Sequence, residues 1–291
     1  MKKTIRFVII PKVGHPWFEE VHQGAQAQAK ILSRELDVNI VVEYRPPAVA
    51  DLVEQKLILE QALISQPQGI ALDPVDSINN MEVISRLKSK GIPLVLFDSL
   101  SSDNSITSIG TNFAQQGIIA ANQLLKLINA NGKVAIMQGY PTAPNHKERY
   151  EAQISILKKS PNVTIIEGGI DNDDIETAYQ QAMAVISSNP DLSGYLCCDA
   201  SGPIGIARAI KTAGKAGKIK TVAMDGIKPI LDAIKEGVID SSSASNPKMQ
   251  GSMSILMLWQ ASLGIFTPPL IDTGVVLITQ QNIDRYMAET D

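Results

Sequence analysis

The sequence predicts an α/β protein with two similar doubly wound domains, each built on a parallel sheet. Short apolar segments alternate with longer segments of helical periodicity, which is typical of β-α-β crossovers. This alternation runs from residue 6 to about 110 and begins again at Asn112. Two arrays of similar length favour two domains over one sheet of about ten or more strands.

The first strand and helix set the pattern that the rest of the chain repeats. Arg6–Ile10 is a β-branched apolar run suited to a strand buried on both faces, and it stops at Pro11. Pro16 can begin a helix, and from Phe18 apolar residues recur at three- and four-residue spacing. Trp17 lies about 100° from that stripe, so helix packing does not explain it. We therefore expect a large ring at the carboxyl edge of the sheet, where open α/β sheets bind ligands.

The later elements follow the same rhythm. In the first array we predict strands at 38–44, 69–72, 92–97 and 106–109, and helices at 50–66 and 77–90. In the second we predict strands at 133–138, 162–167, 193–198, 219–224 and 238–244, and helices at 113–129, 145–159, 174–188, 203–213 and 228–236. The chain is completed by a helix at 248–264, an extended run at 271–278 and a short terminal helix.

The joins near 110 and 245 suit a hinge better than a flexible tether, because both are short and neither is of low complexity. We expect the end of the chain to return to the first domain and then to the second, which makes three crossings. The predicted domains are residues 1–110 with about 246–272, and residues 111–245 with about 273–291, with a ligand cleft between them.

Charge and hydropathy exclude two classes of partner. The 291 residues carry a net charge of −4, which argues against nucleic acid or an anionic membrane as the main partner. No apolar stretch approaches the ~18 residues that a membrane span needs. We therefore expect a small molecule or a protein as partner.

The start of the chain leaves its location open. Met1, Lys2 and Lys3 resemble the start of a signal peptide, but the apolar run after them is too short and lacks a small-residue cleavage site. Either the protein is cytoplasmic, or a start methionine replaces the leader of a mature form. Cys197 and Cys198 are adjacent on a predicted buried strand, where neighbours point to opposite faces, so we expect free thiols.

Polar residues follow nearly every predicted strand, and in two facing sheets they would line one cleft whose acceptors suit hydroxyl groups. Helix capping is the alternative explanation, since Asp, Asn and Ser before a helix stabilise it by ~1 kcal/mol. We favour capping for Asp73, Asp76, Asp171 and Asp174. We favour a binding role for Asp98, Asp199 and Asp225, each of which directly follows an apolar run.

Three other candidates keep two explanations each. Trp17 could cover the end of its helix, although its position off the stripe favours stacking on a ligand. Phe18 lies on the packing stripe, so it belongs to the core or to the site. Arg149 would ordinarily be a solvated cation, but nearby acidic residues make a role in the cleft equally reasonable.

These features together resemble the sugar-binding proteins of bacterial ABC transporters, of the ribose-binding type. The matching segments, in the family's order over essentially the whole chain, are HPWF at 15–18, PQGIALDP at 67–74, GIPLVLFD at 91–98, NPD at 189–191 and AMDG at 223–226. The resemblance implies the type I periplasmic binding protein fold, a periplasmic location and a membrane permease as partner. It also implies a monomer without cofactor.

By this resemblance, Trp17 and Phe18 would pack against a sugar ring, and His15 would replace a polar side chain that hydrogen-bonds it. The charged groups that would fix ring hydroxyls are Asp98, Arg149, Asp199 and Asp225.

The sequence also departs from the family pattern. Ser99 stands where Arg is frequent, Asp199 stands where Asn is frequent, and Ser245 replaces Gln. Asn172 and Asp173 occupy the place of a second stacking aromatic residue. We therefore expect a more acidic and less aromatic pocket, suited to a polyol, a cyclitol or another hydroxyl-rich ligand, including one with a positive group.

Signatures of catalysis are missing from the sequence. His15 and His22 are seven residues apart, about 10 Å along a helix, which is too far to share a metal. We assign His146 to the core or the surface. The nucleophile elbow, the dinucleotide fingerprint and the phosphate loop are all missing. We therefore expect no catalytic residue, no metal and no cofactor.

The predicted function is that of a solute-binding receptor that closes on a sugar, polyol or cyclitol, a change that a permease reads. One alternative is the effector-binding core of a transcriptional repressor, which would need a helix-turn-helix before Thr4, where only three residues stand. The other is a carbohydrate enzyme using paired carboxylates such as Asp98 and Asp225.

Overall fold

The β-branched run near the N-terminus forms a central strand of the first of two sheets. The structure is a computed structural model that describes residues 2–76 and 81–287. It divides into unit 1, which holds the chain up to Thr111 together with Asn246–Gly274, and unit 2, which holds Asn112–Ser245 together with the chain from Val275 onward. The chain therefore passes between the units three times.

Unit 1 contains one six-stranded sheet in which all pairings are parallel. Its strands are β1 (Thr4–Ile10), β2 (Asn39–Tyr44), β3 (Gly69–Leu72), β4 (Leu94–Phe97), β5 (Thr107–Gly110) and β11 (Leu270–Asp272). Its helices are α1 (Pro16–Glu35), α2 (Leu52–Ile64), α3 (Met81–Ser89) and α9 (Pro247–Ser262). The strand order is β2-β1-β3-β4-β5-β11.

Unit 2 contains a second six-stranded sheet, in which only the last strand is antiparallel to its neighbour. Its strands are β6 (Gly132–Gln138), β7 (Val163–Ile170), β8 (Leu192–Leu196), β9 (Lys220–Met224), β10 (Ser241–Ala244) and β12 (Val276–Thr279). Its helices are α4 (Phe113–Leu127), α5 (Pro144–Leu157), α6 (Ile175–Ser188), α7 (Gly202–Thr212), α8 (Lys228–Lys235) and α10 (Ile283–Met287). The strand order is β7-β6-β8-β9-β10-β12.

The core of unit 1 lies where α2 and α3 cover one face of the sheet. Val8 and Ile10 of β1 pack there with Leu59 of α2 and Leu87 of α3, and all four side chains are fully buried. Burying each such side chain contributes about 1.5–3 kcal/mol. Helix propensity is secondary to this burial, because both helices are short.

Two glycines allow α9 to return to unit 1 and lie directly on α1. A Cβ on Gly251 would lie 1.8 Å from the carbonyl oxygen of Val21, and a Cβ on Gly24 would lie 2.0 Å from that of Lys248. The backbones of the two helices therefore touch, which no larger residue at these two positions would permit.

The two sheets share a strand order that places a topological switch point between β1 and β3 in unit 1 and between β6 and β8 in unit 2. In such sheets ligands bind outside the carboxyl ends of the strands at the switch point. Candidate site residues are therefore expected in the segments that follow the strands at their carboxyl ends, beginning with those after β1, β3, β6 and β8.

Three predictions on elements need correction or comment. The extended run at 271–278 is two strands in different sheets, β11 and β12, separated at Thr273–Val275. Cys197 and Cys198 lie just beyond β8 and are free and buried, as expected. Residues 77–80 of the predicted helix 77–90 lie outside the described residues.

Within the described ranges, no helix combines the length and the apolar character needed to cross a membrane.

Candidate functional site

The segment after β1 places His15 and two aromatic rings at the start of α1. His15 is the N-cap of α1, and its Nδ1 accepts the backbone N–H of Trp17 at 3.1 Å. The rings of Trp17 and Phe18 meet edge to face with centroids 5.1 Å apart, and Phe18 meets Phe97, the last residue of β4, in the same way at 6.2 Å. Such aromatic pairs contribute about 0.5–1.5 kcal/mol beyond burial. We call His15, Trp17 and Phe18 the aromatic cluster.

A buried ion pair lies beside the aromatic cluster. Lys12 is 1% exposed, and its Nζ lies 3.6 Å from Oδ2 of Asp73 and 5.9 Å from the centre of the Phe18 ring. The Ser99 hydroxyl donates to Oδ1 of the same carboxylate at 2.6 Å. Removing one member of a buried charge pair is strongly destabilising. Lys12, Asp73 and Ser99 therefore form one group whose side chains hold each other in place.

Asp98 directly follows β4 and adopts a left-handed backbone conformation, with φ 47°. Its N–H donates to the carbonyl oxygen of Ile109 at 2.9 Å and lies 3.0 Å from Oε1 of Gln250. The bond to Ile109 extends the ladder from β4 to β5, and the contact with Gln250 ties the turn to α9. The side chain is 4% exposed.

In unit 2, Arg149 is almost fully buried, at 1% exposure. Its Nε donates to Oε1 of Gln116 at 2.8 Å, and one terminal nitrogen donates to the carbonyl oxygen of Cys198 at 3.1 Å. The guanidinium carbon lies 5.0 Å from the centre of the Phe113 ring, a cation–π distance. Of the two explanations left open for Arg149, the solvated cation is excluded, because the guanidinium is buried among these partners.

Asp225 follows β9 and is connected to Arg149 by one residue, Gln116, that contacts both side chains. Its Oδ1 accepts the Ser245 hydroxyl at 2.5 Å and the Ser245 N–H at 3.3 Å. Gln116, which receives the Arg149 bond, donates from Nε2 to the Ser243 carbonyl oxygen at 2.9 Å and lies 3.5 Å from Oδ1 of Asp225. We call Arg149, Gln116, Asp225 and Ser245 the polar cluster.

Three carboxyl groups gather where β7 and β8 end. Asp199 accepts the N–H of Gly202 at 3.1 Å, and Asp171 accepts the N–H of Asp173 at 3.0 Å. Both side chains reach Gly202, where a Cβ would lie 2.8 Å from an Asp199 oxygen and 2.9 Å from an Asp171 oxygen. We call Asp171, Asp173 and Asp199 the carboxyl cluster.

Burial dominates the electrostatics of the carboxyl cluster. The pKa of Asp171 is raised to about 8, mainly by burial and to a smaller extent by the charge of Asp173. Burial and the charges of Asp171 and Asp173 raise the pKa of Asp199 well above its ordinary value. At neutral pH the cluster therefore holds at least one proton, so it can donate as well as accept hydrogen bonds.

Three of the predicted site aspartates are among the residues with a left-handed backbone conformation. The φ angles of Asp98, Asp173 and Asp225 are 47°, 60° and 65°. For a residue other than glycine this region costs about 1–2 kcal/mol. Strain of this kind clusters at ligand sites, where it aims a side chain that a relaxed turn would direct elsewhere.

Within each unit the structure brings the predicted site residues together. In unit 1, Phe18 contacts His15, Trp17 and Lys12, and Lys12 leads through Asp73 to Ser99 and its neighbour Asp98. In unit 2, Asp199 follows Cys198, whose carbonyl oxygen receives the Arg149 bond, so the carboxyl and polar clusters are linked.

The capping role expected for three aspartates has different outcomes. Asp174 caps α6, where its carboxylate accepts the N–H of Thr177 at 2.7 Å. The capping role expected for Asp171 is wrong, because α6 begins after Asp174 and Asp171 is buried in the carboxyl cluster. For Asp73, capping does not account for the ion pair with Lys12.

Sequence reasoning missed Lys12 and several buried glutamines that hold the strand ends. The amide of Gln55 donates to the carbonyl oxygens of Pro11 and Asp73, and that of Gln153 donates to the carbonyl oxygen of Cys197. A signal was available, because each glutamine stands on the buried stripe of its helix, where apolar residues are the rule.

The two buried cysteines stand next to the carboxyl cluster, directly before Asp199. Burial raises the pKa of the Cys197 and Cys198 thiols well above their ordinary value, so neither is a nucleophile at neutral pH. Among residues 2–76 and 81–287, no group of three or more His, Cys, Asp and Glu side chains could hold a metal ion. What the clusters offer is a guanidinium, carboxylates and rings at strand ends, which suits hydrogen bonding to hydroxyl groups.

Comparison with known proteins places these features in a family. The model of a family described as the periplasmic binding protein domain matches residues 6–264. The D-allose-binding periplasmic protein of Escherichia coli strain K12 is 24% identical over 263 residues, which cover 87% of this chain and 83% of that protein. The D-apiose import binding protein of Paraburkholderia graminis is 23% identical and covers 78% of this chain and 71% of its own length.

Solved structures agree over nearly the whole chain. An ABC transporter solute-binding protein from Burkholderia graminis in complex with D-arabinose is 27% identical, with a TM-score of 0.89 over 97% of this chain and 98% of that one. A solute-binding protein from Agrobacterium vitis with bound D-fucose is 25% identical, with a TM-score of 0.90 over 98% and 99% of the two chains.

Proposed function

Because the chain belongs to the periplasmic binding protein domain family, we propose that it is the solute-binding protein of an ABC importer and that its ligand is a sugar or a sugar-like polyol or cyclitol. The relatives support this proposal, since they are named for D-allose and D-apiose and the two solved neighbours hold D-arabinose and D-fucose.

The observation that carries the proposal is the polar cluster. A buried guanidinium and a left-handed aspartate stand at the carboxyl ends of one sheet, held by Gln116 and Ser245. Hydrogen bonds from a hydroxyl to charged partners are worth about 1.5–3 kcal/mol each, before the cost of desolvation. A hydroxyl-rich ligand is the class of molecule that uses such donors and acceptors together.

We further propose that one ligand contacts both units. Trp17 and Phe18 would pack against its apolar face, with His15, Asp98 and Ser99 as hydrogen-bonding groups of unit 1. The contributing groups of unit 2 would be Arg149, Asp173, Asp199, Asp225 and Ser245. A ligand that binds both units favours the state in which both can reach it, and a permease would recognise that state.

The partner and location follow from the same family. We propose a membrane permease of an ABC importer as the protein partner, since the matched relatives include import binding proteins. An extracytoplasmic location is implied by the family, and we propose the periplasm within it. We also propose that the protein acts as a monomer and does not bind nucleic acid, in keeping with its net charge of −4.

The two alternatives are less well supported. The family is one of binding proteins, which favours binding over carbohydrate catalysis, and the import relatives favour transport over gene regulation. Incubation distinguishes the enzyme from the receptor, because a receptor returns its sugar unchanged and an enzyme consumes it.

The test is calorimetry on a panel of pentoses, hexoses, polyols and cyclitols, guided by native mass spectrometry of the purified protein. At least one member should bind the wild type, and Arg149→Ala should lose about 10-fold or more in affinity because it removes a charged donor. Arg208→Ala is the matched control, since that arginine also stacks on a ring, that of Tyr179, and pairs with Glu176 on the surface. Arg149→Lys should not restore full affinity, because lysine lacks the planar fork.

Two outcomes would contradict the proposal. Equal affinity in the Arg149 and Arg208 variants would exclude the polar cluster from the site. A wild-type protein that binds no member of the panel would exclude the sugar class.

A further inference from the structure

The side chain of Gln250, in the first turn of α9, lies against the turn that carries Asp98. Its Oε1 accepts the N–H of Asp98 at 3.0 Å, a donor that it shares with the carbonyl oxygen of Ile109. The backbone of Gln250 is bonded within the helix, since its N–H donates to Asn246 and its carbonyl oxygen accepts the Ser254 hydroxyl. Gln250 is fully buried, so its amide is held against the carboxyl end of β4.

The amide nitrogen of Gln250 is the part of this side chain that the fold does not explain. Nε2 is buried and has no hydrogen-bond partner among the residues that the structure describes. Turning the amide over would not help, because Nε2 would then face the N–H of Asp98, which is also a donor. A buried donor without a partner costs free energy, so its presence calls for an acceptor that the folded chain itself does not supply.

The groups around Gln250 are those of the proposed site in unit 1. The next residue, Gly251, packs directly on α1, where a Cβ would lie 1.8 Å from the carbonyl oxygen of Val21. The aromatic cluster stands at the start of α1, one turn before Val21, and its Phe18 meets Phe97 at the end of β4. The amide of Gln250 therefore lies where the first turns of α1 and α9 meet the carboxyl end of β4.

We propose that Gln250 is a ligand-binding residue of unit 1, whose Nε2 donates a hydrogen bond to one hydroxyl oxygen of the ligand beside Asp98. The inference rests on the proposed function and deepens it, because it adds a neutral donor that determines specificity for that hydroxyl. A ligand without an oxygen at this position leaves the buried donor unpaired, and such a site rejects the analogue for that reason.

Gln250→Met tests the role of the amide with little change in side-chain size. Methionine is also unbranched, so it fills the same buried space without the amide donor, and the N–H of Asp98 keeps its bond to Ile109. Because a buried unpaired donor is removed, we expect the ligand-free variant to melt at or above the wild-type temperature. A purely structural role predicts the opposite, a lower melting temperature.

The matched control is Gln55→Met, at another fully buried glutamine of unit 1. The amide of Gln55 donates to the carbonyl oxygens of Pro11 and Asp73 and accepts the N–H of Val75. Because this amide bonds within the protein, Gln55→Met should lower the melting temperature, and it should change the affinity for all ligands by the same factor.

The probes are the panel member that binds best and its monodeoxy derivatives, one for each hydroxyl, measured by calorimetry. We expect Gln250→Met to bind the parent compound about 3- to 10-fold more weakly than wild type does, which is the size of one neutral hydrogen bond. The derivative that lacks the partner hydroxyl should bind variant and wild type equally to within about 2-fold, because the cycle isolates the coupling of the amide to that hydroxyl.

Equal affinity of wild type and Gln250→Met for the parent compound would overturn the inference. So would a loss by the same factor for the parent and for every derivative, because no single hydroxyl would then be coupled to the amide. Both results are distinct from failure of the proposed function, in which the wild type binds no member of the panel.

Discussion

Gln116 shows how a single neutral side chain organises the charged groups of unit 2. Its Oε1 accepts from Arg149, while its Nε2 donates to the Ser243 carbonyl oxygen beside Asp225. A side-chain amide can accept from a cation and donate to a carbonyl oxygen at the same time. A glutamate at position 116 would compete with a ligand for the guanidinium of Arg149. A leucine there would remove the hydrogen bond that Nε of Arg149 donates.

Residues of this kind mark the limit of what the sequence reveals at this scale. Aspartates that directly follow apolar runs could be predicted as site candidates, because a charged side chain at a buried strand end is costly unless it has a partner. Gln116 shares the stripe of Phe113, Ala120 and Leu124, and helical periodicity alone assigns such a position to the core. Its role depends on Arg149 and Ser243, which are distant in sequence, and a linear pattern does not contain that pairing.

The carboxyl cluster predicts a dependence of stability on pH. In the folded protein the pKa of Asp171 is raised to about 8 from its ordinary value of 3.8. The folded state therefore binds this proton more tightly than the unfolded state does. The stability that the bound proton contributes is lost as the pH rises from 3.8 to about 8. We expect Asp171→Asn, which is neutral at every pH, to gain stability over wild type between about pH 5 and pH 8, by more than about 1 kcal/mol.

Melting temperatures of the ligand-free proteins across this range provide the measurement. Asp174→Asn is the control from the same segment, because hydrogen bonds with Thr177 lower the pKa of Asp174. Its contribution is complete above the ordinary pKa of aspartate, so its difference from wild type should stay constant over the range. Parallel curves for wild type and Asp171→Asn would contradict the raised pKa of Asp171.

At the scale of elements, the turn after one strand recurs in both units. Asp98 follows β4 and donates its N–H to Ile109 of β5, and Asp225 follows β9 and donates its N–H to Ser243 of β10. Both aspartates are left-handed, and both are the first residue beyond an apolar strand. The two sheets therefore present a carboxylate by the same means, at equivalent places in their strand orders.

This turn predicts that stability and binding at Asp98 can be separated. Asn tolerates a left-handed backbone, whereas for Ala it costs about 1–2 kcal/mol. Asp98→Asn should therefore unfold at nearly the wild-type denaturant concentration and Asp98→Ala at a lower one. Both should lose about 10-fold or more in sugar affinity, because each removes a charged acceptor.

Denaturant titration and calorimetry on the same samples measure the two effects. If Asp98→Ala were as stable as Asp98→Asn, the turn would carry no strain. If Asp98→Asn bound sugar with wild-type affinity, Asp98 would be excluded from the site.

Periodicity predicted most elements to within a few residues, but it misjudged the run at 271–278. The residues on both sides of Gly274 have extended propensity, so they look like one strand. The structure assigns Leu270–Asp272 and Val276–Thr279 to different sheets, with Gly274 at φ 80° between them. Which sheet a strand joins depends on partners far away in sequence, and the glycine was the available sign of a break.

At the scale of the whole molecule, the prediction of two doubly wound parallel-sheet domains is confirmed by the solved structures that match nearly the full chain. The prediction of a binding protein rather than an enzyme is confirmed by the family. Both could be read from the sequence because alternation of strands and helices is a local signal repeated many times. The choice of ligand is not local, since it depends on distances between residues such as Arg149 and Asp225.

Whether one ligand engages both units is tested by a reporter in unit 1 and a substitution in unit 2. The chain has two tryptophans, so Trp259→Phe leaves Trp17, which is 3% exposed, as the sole indole. In this background we expect the emission of Trp17 to shift when the best-binding sugar of the panel is added. Addition of Asp225→Asn should move the midpoint of that shift to about 10-fold or higher sugar concentration, because a charged acceptor is lost. An unchanged midpoint would mean that unit 1 binds the sugar without Asp225, and a silent Trp17 alongside calorimetric binding would exclude stacking on the indole.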